Sequence, residues 1–402
     1  MAEPLNLTGF VGLDPNTSEI CTIEASCVTG FEPMAQEEIQ EILGSSGTVH
    51  RGRVVFDLPV SRIKEVLTLR TVNNLWVMVG HTHKFVYPEK AEEQLIALAD
   101  FAGGLDWSKG LDTWSKAFDF KGNLYPTQAG ENTEQVAESE RIPSFRCSCY
   151  RSGTNHAFKS SDAQITVGGR IQDKFLWNVK MKNYDIEVVM NCDVDQVYVG
   201  VALNNSSLFN RTLSHFGPTS LRPTICAAMV RLAKVKVGEI VLDPMCGGGS
   251  IPLEGSQMDS HAFYLGGEIH DKAIMRTRNN LTDLCARMDL KHGTKMDCLQ
   301  WSALNPCLRD NSVDVIITDL PFGKRSGSKA DNRVLYPQTL KAMARIVRPE
   351  TGRAVLLTQD KTSMFKTMGS VSKYWKLQKN FSCNIGGLTA LIFMFQRTME
   401  SP

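Results

Sequence analysis

Residues 241–255 read VLDPMCGGGSIPLEG, and the order of residue types in this stretch decides the fold. The apolar run of EIVLDPM (239–245) breaks at Asp243. Three glycines follow, Gly247, Gly248 and Gly249, and SIPLEGSQMD (250–259) then reads as a helix. A strand, a glycine turn and a helix in succession let backbone approach a ligand, and the helix start presents unpaired N–H groups to it. The spacing is not the dinucleotide fingerprint GxGxxG, because the next required small residue is missing.

The same alternation continues outward. AFYLGGE (262–268) reads as a strand ending in Glu268, and DKAIMRTRNNLTDLCARM (271–288) as a helix. Asp297 and Cys298 lie near the end of a possible third strand. SVDVIITDL (312–320) and GRAVLLTQD (352–360) are further strands, separated by the helical YPQTLKAMARIVRP (336–349). Near-continuous apolar strands alternating with helices predict a parallel sheet covered on both faces. WKLQKNFSCNI (375–385) and LTALIFMFQR (388–397) flank Gly386-Gly387, a hairpin signal. The predicted fold over 225–402 is therefore α/β, a doubly wound sheet closing with an antiparallel hairpin, an arrangement that resembles the Rossmann-like class I methyltransferases.

The acid that opens the glycine turn repels phosphate. The turn suits a ligand with an amine and no phosphate, such as S-adenosylmethionine with its aminoacyl tail. Asp243, Met245, Gly247 and Gly249 are its candidate contacts. Glu268, at the end of the second strand, is placed to accept from both ribose hydroxyls. Asp297 and Cys298 are placed by the adenine. Cys246 reads as a small filler, with no basic partner to activate it.

The run ending in Asp319 closes with DLPFGK (319–324). A conjugated exocyclic amine is a poor nucleophile, and its N–H groups must be held so that the lone pair faces the methyl donor. Asp319 supplies one acceptor and the Leu320 carbonyl another. Pro321 fixes the turn and removes a competing N–H, and Phe322 offers a flat surface for a base. Guanine N2 and adenine N6 amines both fit this geometry.

Before residue 206 the pattern differs. Residues 1–19 read as a flexible leader. Residues 20–120 alternate strand, helix, strand, helix, strand: 20–28, 30–44, 48–58, 61–70 and 73–83 in turn. KGNLYPTQAGENTEQVAESER (121–141) is a polar linker. Residues 142–205 form a second small α+β unit, with a strand at 144–153, a helix within 158–180 and a hairpin at 185–203; 206–224 is a bridge. Net charge is only +1, so a nucleic-acid site must come from local basic patches. Arg146, Arg151, Lys159, Arg170, Lys174, Lys180 and Lys182 are candidates in 142–205, Arg211 in the bridge, and Lys324 and Arg325 beside the 319–322 turn. Eleven cysteines without a CxxC pair point to free thiols in a reducing, cytoplasmic setting and to no structural metal. The sequence shows neither a signal peptide nor an eighteen-residue apolar run, so a soluble, non-membrane protein is expected.

DPMCGGGSIPLEG, DLPFGKR, HFGPTSLRPT and GRAVLLTQDK together resemble the THUMP-containing tRNA guanine-N2 methyltransferases, with similarity from about Ile23 to Gln396. The resemblance implies a ferredoxin-like region followed by a THUMP RNA-binding unit. It implies S-adenosylmethionine as cofactor and N2-methylation of an acceptor-stem guanosine of tRNA, at position 6 with 7 as a further site. It also implies a small zinc-binding activator subunit. Asp319, Leu320, Pro321 and Phe322 match the base-handling motif. Asp243, Gly247, Gly249, Glu268 and Asp297 match the cofactor motifs. The chain departs from the family at Trp301-Ser302, where Trp-Asp is common, which leaves the adenine-amine acceptor to Asp297. It reads Gly-Gly-Gly where Gly-Thr-Gly or Gly-Ser-Gly is usual, and lacks a lysine-rich insertion near 121–141.

Overall fold

A computed structural model describes residues 7, 9–14, 16–17, 19–130, 137–211, 213–217, 220–258, 261–288, 294–323 and 328–402. The chain divides into two compact units, Met1–Cys27 with Ala35–Leu208, and Val28–Met34 with Phe209–Pro402.

The first unit contains β1 (Ile20–Cys27), most of α1 (Glu32–Leu43), β2 (Thr48–His50), β3 (Arg53–Pro59), β4 (Val72–His83), α2 (Ala91–Gly104) and α3 (Ser108–Phe118). It continues with β5 (Ser144–Arg151), α4 (Ser160–Phe175), β6 (Asn178–Val179), β7 (Ile186–Cys192) and β8 (Gln196–Ala202). One eight-stranded sheet runs β2-β3-β1-β4-β8-β7-β5-β6. The antiparallel β4–β8 ladder, from Trp76 opposite Ala202 to His83 opposite Gln196, carries the sheet across from one sequence segment to the other.

Three local features differ from the sequence reading. Residues 48–58 form two strands, because Gly52, at φ +76°, permits a tight turn and pairs His50 with Arg53. Residues 60–68 form a 3₁₀ helix, not an α-helix. Its buried residues Val60, Ile63, Val66 and the following Leu69 recur every three positions, the period at which a 3₁₀ helix stacks side chains on one face. Helices α2 and α3 fill the unassigned stretch before the polar linker; Leu98, Ala102, Leu111 and Trp114 from them are buried in the first unit's core.

The second unit contains α5 (Pro223–Leu232), β9 (Ile240–Asp243), α6 (Ser250–Ser256), β10 (Phe263–Glu268), α7 (Asp271–Arg287), β11 (Met296–Gln300) and β12 (Val315–Asp319). After them come α8 (Lys329–Ile346), β13 (Arg353–Thr358), α9 (Lys361–Val371), β14 (Trp375–Ile385) and β15 (Leu388–Arg397). The strand order is β11-β10-β9-β12-β13-β15-β14, with β11 to β13 parallel and β15 antiparallel to both its neighbours. This is the doubly wound sheet with a closing hairpin expected from the sequence. Val241, Val315, Ile317, Val355 and Leu357 face α5 and α6; Leu242, Ile316, Ala354 and Leu356 face α8 and α9. Successive residues turn to opposite faces, and helices cover both, which is why these strands read as unbroken apolar runs. From β9 the chain winds first toward β11 and then back to β12, so a crevice opens at the carboxyl ends of β9 and β12. Among the described residues, no helix is long and apolar enough to cross a membrane.

Candidate active site

The four-residue strand β9 ends in Asp243, buried at 2% exposure. Its Oδ1 accepts the Met245 N–H at 3.1 Å, which curls the loop back over the strand end. The Cys246 N–H then donates to the Gly267 carbonyl at 2.8 Å, and the Gly249 N–H to the Cys246 carbonyl at 2.7 Å. Gly247 and Gly249 hold φ of +57° and +82°, a region that favours glycine. A Cβ on Gly247 would meet nothing within 4 Å, so the loop backbone there lies open to a ligand.

Glu268 ends β10 and is also buried. Its Oε2 accepts the Gly247 N–H at 3.0 Å, and its Oε1 accepts the Ile269 and His270 N–H groups at 2.8 Å each. The carboxylate thus ties the glycine loop to the adjacent strand end.

Two α7 residues that the sequence reading passed over brace the loop from outside. The Thr277 hydroxyl donates to the Gly247 carbonyl at 2.8 Å. Asn280, fully buried, uses its whole amide: Nδ2 donates to the carbonyls of Gly248 and His215 at 3.0 Å, and Oδ1 accepts the N–H groups of Ser214 and His215 at 3.0 and 2.8 Å. A side chain between Leu281 and Asn279 in a polar-rich helix carries no sequence signal that it will face a loop.

Strand β12 lies directly beside β9, with Val315 level with Val241 and Ile316 with Leu242. Continuing that register places Asp243 level with Ile317, so Asp319 sits two residues, about 7 Å, further out. Asp243 and Asp319 turn to the same face of the sheet, toward α5. Burial pushes the Cys226 thiol of α5 well up, and Glu254, Asp319 and Asp243 push it in the same direction.

Electrostatics link the carboxyl groups. Burial pushes Asp243 up to about 7; the Thr318 hydroxyl and the Met245 N–H oppose this, and Glu268 adds to it. Asp319, half-buried at the strand end, is held well above the usual carboxylate range by burial first, then by Asp243 and Glu268. Among the described residues Asp243 Oδ2 is buried with no hydrogen-bond partner, a costly state that an ammonium group in this crevice would relieve. Burial, with Asp243 and Glu268 next in weight, also pushes the Cys246 thiol well up, away from any nucleophilic form.

The 319–322 turn is fixed through β13 and α8. The Leu320 N–H donates to the Leu357 carbonyl at 2.9 Å. The Pro321 carbonyl accepts from Asn332 Nδ2 at 2.9 Å and from the Tyr336 hydroxyl at 2.6 Å. Phe322 is half-buried against the apolar cluster on the α5 face. Gly323, at φ +68°, lets α8 begin against the turn; a Cβ there would lie 2.7 Å from the Lys329 nitrogen.

Asp297 and Cys298 are not brought to this crevice edge. Asp297 is level with Leu265 and Cys298 with Gly266, while Glu268 is level with Gln300. Asp297 therefore lies three residues, about 10 Å, behind the end of β10, exposed, with its Oδ1 accepting the Cys298 N–H. At the edge itself stand Trp301, whose N–H donates to the Glu268 carbonyl at 3.0 Å, and Ser302. β11 runs on to Gln300, which sets the acid back from the edge of the sheet where the sequence reading puts it.

The basic candidates separate into two kinds. Arg211 is paired at 2.8 Å with the fully buried Glu254 of α6 and offsets the charge of that carboxylate. Arg146 pairs with Glu187 at 2.9 Å and lies over the Tyr184 ring. Arg151 bonds the Phe158 carbonyl and Ser160, Arg170 bonds Asp100, and Lys174 caps the end of α2 through the Gly103 and Leu105 carbonyls. Each of these cations is committed within the first unit. Lys159, Lys180 and Lys182 are exposed and form no ion pair among the described residues. Lys324 and Arg325 lie outside the described residues. No group of three His, Cys, Asp or Glu side chains among those residues is placed to hold a metal ion.

Comparison with known proteins agrees with this architecture. Residues 211–390 match the RMKL-like methyltransferase domain family, and residues 129–202 the THUMP domain. The chain is 35% identical, over 94% of its length and 89% of the relative's, to the tRNA (guanine(6)-N(2))-methyltransferase THUMP3 of Bos taurus. TrmN from Thermus thermophilus superposes with a TM-score of 0.72 at 22% identity, covering 94% of this chain and 99% of that one. A putative methyltransferase, SMU.472, complexed with SAH, superposes with a TM-score of 0.69 at 16% identity, covering 96% of this chain and all of its own.

Proposed function

The chain belongs to the THUMP-containing tRNA guanine-N2 methyltransferases, and from that premise we propose that it methylates the exocyclic N2 amine of an acceptor-stem guanosine in tRNA, at position 6 with 7 as a further site. One observation carries the reading: Asp243 and Asp319 end adjacent parallel strands and open on the same edge of the sheet.

S-adenosylmethionine, when bound, supplies an electrophilic methyl group. The residues present suit it: among the described residues Asp243 Oδ2 has no hydrogen-bond partner and would accept from the ammonium, the backbone at Gly247 is open, and Glu268, at the end of the neighbouring strand, would accept from the ribose hydroxyls. Asp319 and the Leu320 carbonyl accept the two N–H groups of the substrate amine, which turns its lone pair toward the methyl donor. This alignment is an orientation effect, worth up to roughly 7–11 kcal/mol of barrier. A positive ligand in the crevice favours ionised carboxylates. Asp319 then takes the proton that the amine releases, its raised pKa making it the stronger base. Phe322 stacks on the base, worth about 1–3 kcal/mol. A paired guanosine must first be flipped out, at a cost of a few kcal/mol. The first unit, with its THUMP match, grips the rest of the tRNA; Lys159, Lys180 and Lys182 are among its exposed cations with no ion pair among the described residues.

A small zinc-binding activator subunit is part of the proposal. All eleven cysteines are free thiols, which suits a reducing compartment, and we place the enzyme in the cytoplasm.

Mass spectrometry of nucleosides tests the reading, using unmodified tRNA incubated with enzyme, activator and labelled cofactor. N2-methylguanosine is expected from the wild type. Asp319→Ala should abolish it while RNA affinity stays near normal. N6-methyladenosine as the product would replace the guanine assignment, and undiminished transfer by Asp319→Ala would remove Asp319 from the chemistry.

A further inference from the structure

The Pro321 carbonyl receives two side-chain donors, and both come from the interior of α8. Asn332 and Tyr336 are fully buried. Their other partners close a ring. Asn332 Nδ2 also donates to Asp360 Oδ2 at 3.1 Å. The Tyr336 hydroxyl lies 2.7 Å from Thr358 Oγ1, and the Asp360 N–H donates to that same oxygen at 2.9 Å.

The chemistry of the groups leaves one proton order. A carbonyl only accepts, so the single Tyr336 proton goes to Pro321. The Thr358 hydroxyl must then donate to Tyr336, and its oxygen is left to accept from Asp360. On the other arm both neighbours of Asn332 are acceptors, so the amide nitrogen faces them, one hydrogen to each. Asp360 is held below the usual carboxylate range: burial works against this, and the hydrogen bonds from Ser363 and Asn332 outweigh it. Its bond to Asn332 is thus charge-assisted.

We infer that Tyr336 and Asn332 are positioning residues: they draw the Pro321 carbonyl back into α8 and so leave the Leu320 carbonyl as the turn's backbone acceptor for the substrate amine. The backbone groups on either side support this. The Leu320 N–H is taken by Leu357, and Pro321 has no N–H. The two donors lie on the α8 face of the sheet, whereas Asp319 turns to the α5 face. Released, the Pro321–Phe322 peptide can rotate, bringing a second carbonyl into the site and moving the Phe322 ring. The inference rests on the proposed amine methylation, since a turn without an amine to hold needs no chosen acceptor.

A purely structural network and a positioning one differ in what their loss changes. Tyr336→Phe removes one hydroxyl and little volume; Asn332→Ser removes one arm of the ring by a second route. For both, with the activator subunit present, the transfer rate at saturating tRNA and S-adenosylmethionine, counted per cofactor-binding site by calorimetry, should fall at least about tenfold. Dissociation constants for cofactor and tRNA should stay within about twofold, so that kcat falls while KM holds. A wild-type rate per site in both variants, with the wild type itself forming N2-methylguanosine, overturns the positioning role and leaves the proposed function standing. An equal loss of cofactor affinity in both variants also overturns it, because the ring would then be serving the fold. A wild type that transfers no methyl to any base refutes the proposed function, and this inference with it.

Discussion

Cofactor affinity should weaken as pH falls below neutrality, with Asp243 setting the midpoint. In the ligand-free protein its carboxyl is pushed up to about 7, by burial first. Asp319 and Glu268 are the other carboxyl groups that act on it, and Arg211 on the same side is already paired with Glu254. Below about 7 the free protein holds Asp243 as a neutral acid. A ligand ammonium needs the carboxylate, so binding must expel that proton, and the affinity drops as the proton becomes harder to remove. With one group titrating near 7, the ionised fraction is about 0.9 at pH 8 and about 0.1 at pH 6, a loss of roughly tenfold in affinity across that interval. Titration calorimetry with S-adenosylmethionine in buffers of different ionisation enthalpy reads both quantities. The share of proton release due to Asp243 should rise from about 0.1 per site at pH 8 to about 0.9 at pH 6, and Asp319 adds its own share. Asp243→Asn should bind more weakly and with a shallower profile. A flat wild-type profile, or an unchanged slope in Asp243→Asn, refutes the assignment. The same shift acts on folding. A folded pKa above the unfolded one means that Asp243 destabilises the ligand-free protein progressively as pH rises from about 4 to 7, and by a constant amount above that.

Gly267→Ala should lower thermal stability, because the added Cβ would lie 1.9 Å from Trp301 Nε1 and the buried indole must move. Overpacking of this kind costs about 1–3 kcal/mol; thermal melting reads it, and the same change made in a Trp301→Val background should cost much less. Lys159, Lys180 and Lys182 changed together to Ala should weaken tRNA binding without affecting cofactor affinity. The slope of log affinity against log salt should become shallower by about 0.7–0.9 for each phosphate that is no longer neutralised, as measured by binding at several salt concentrations. An unchanged slope removes these lysines from the RNA surface.

The two turns at the crevice were legible in the sequence because each is a local event. Asp243 followed by three glycines, and Asp319 followed by Leu-Pro-Phe, declare a strand end and a sharp turn within a few residues, and alternating apolar runs declare the sheet that carries them. What lies around the turns was less legible. The 60–68 segment reads as an α-helix although its apolar period of three is visible in Val60, Ile63, Val66 and Leu69. Asp297 reads as an edge residue because the length of β11 is set by its pairing with β10, which only coordinates reveal.

Composition, strand-end motifs and periodicity were thus sufficient to determine the class of fold, the hairpin that closes its second sheet and the two acids that end neighbouring strands. The tertiary structure alone decided which polar side chains hold those turns in place. Asn280 and Thr277 on α7, and Asn332 and Tyr336 on α8, reach backbone groups 11 to 66 residues away along the chain. The same holds for Arg211, which any reading of charge would offer to RNA and which a buried glutamate 43 residues on has claimed. The physical reason is range: turn and strand preferences act over a few neighbouring residues, whereas a buried hydrogen bond forms only once packing has brought distant donors and acceptors together and removed the water that would otherwise satisfy them.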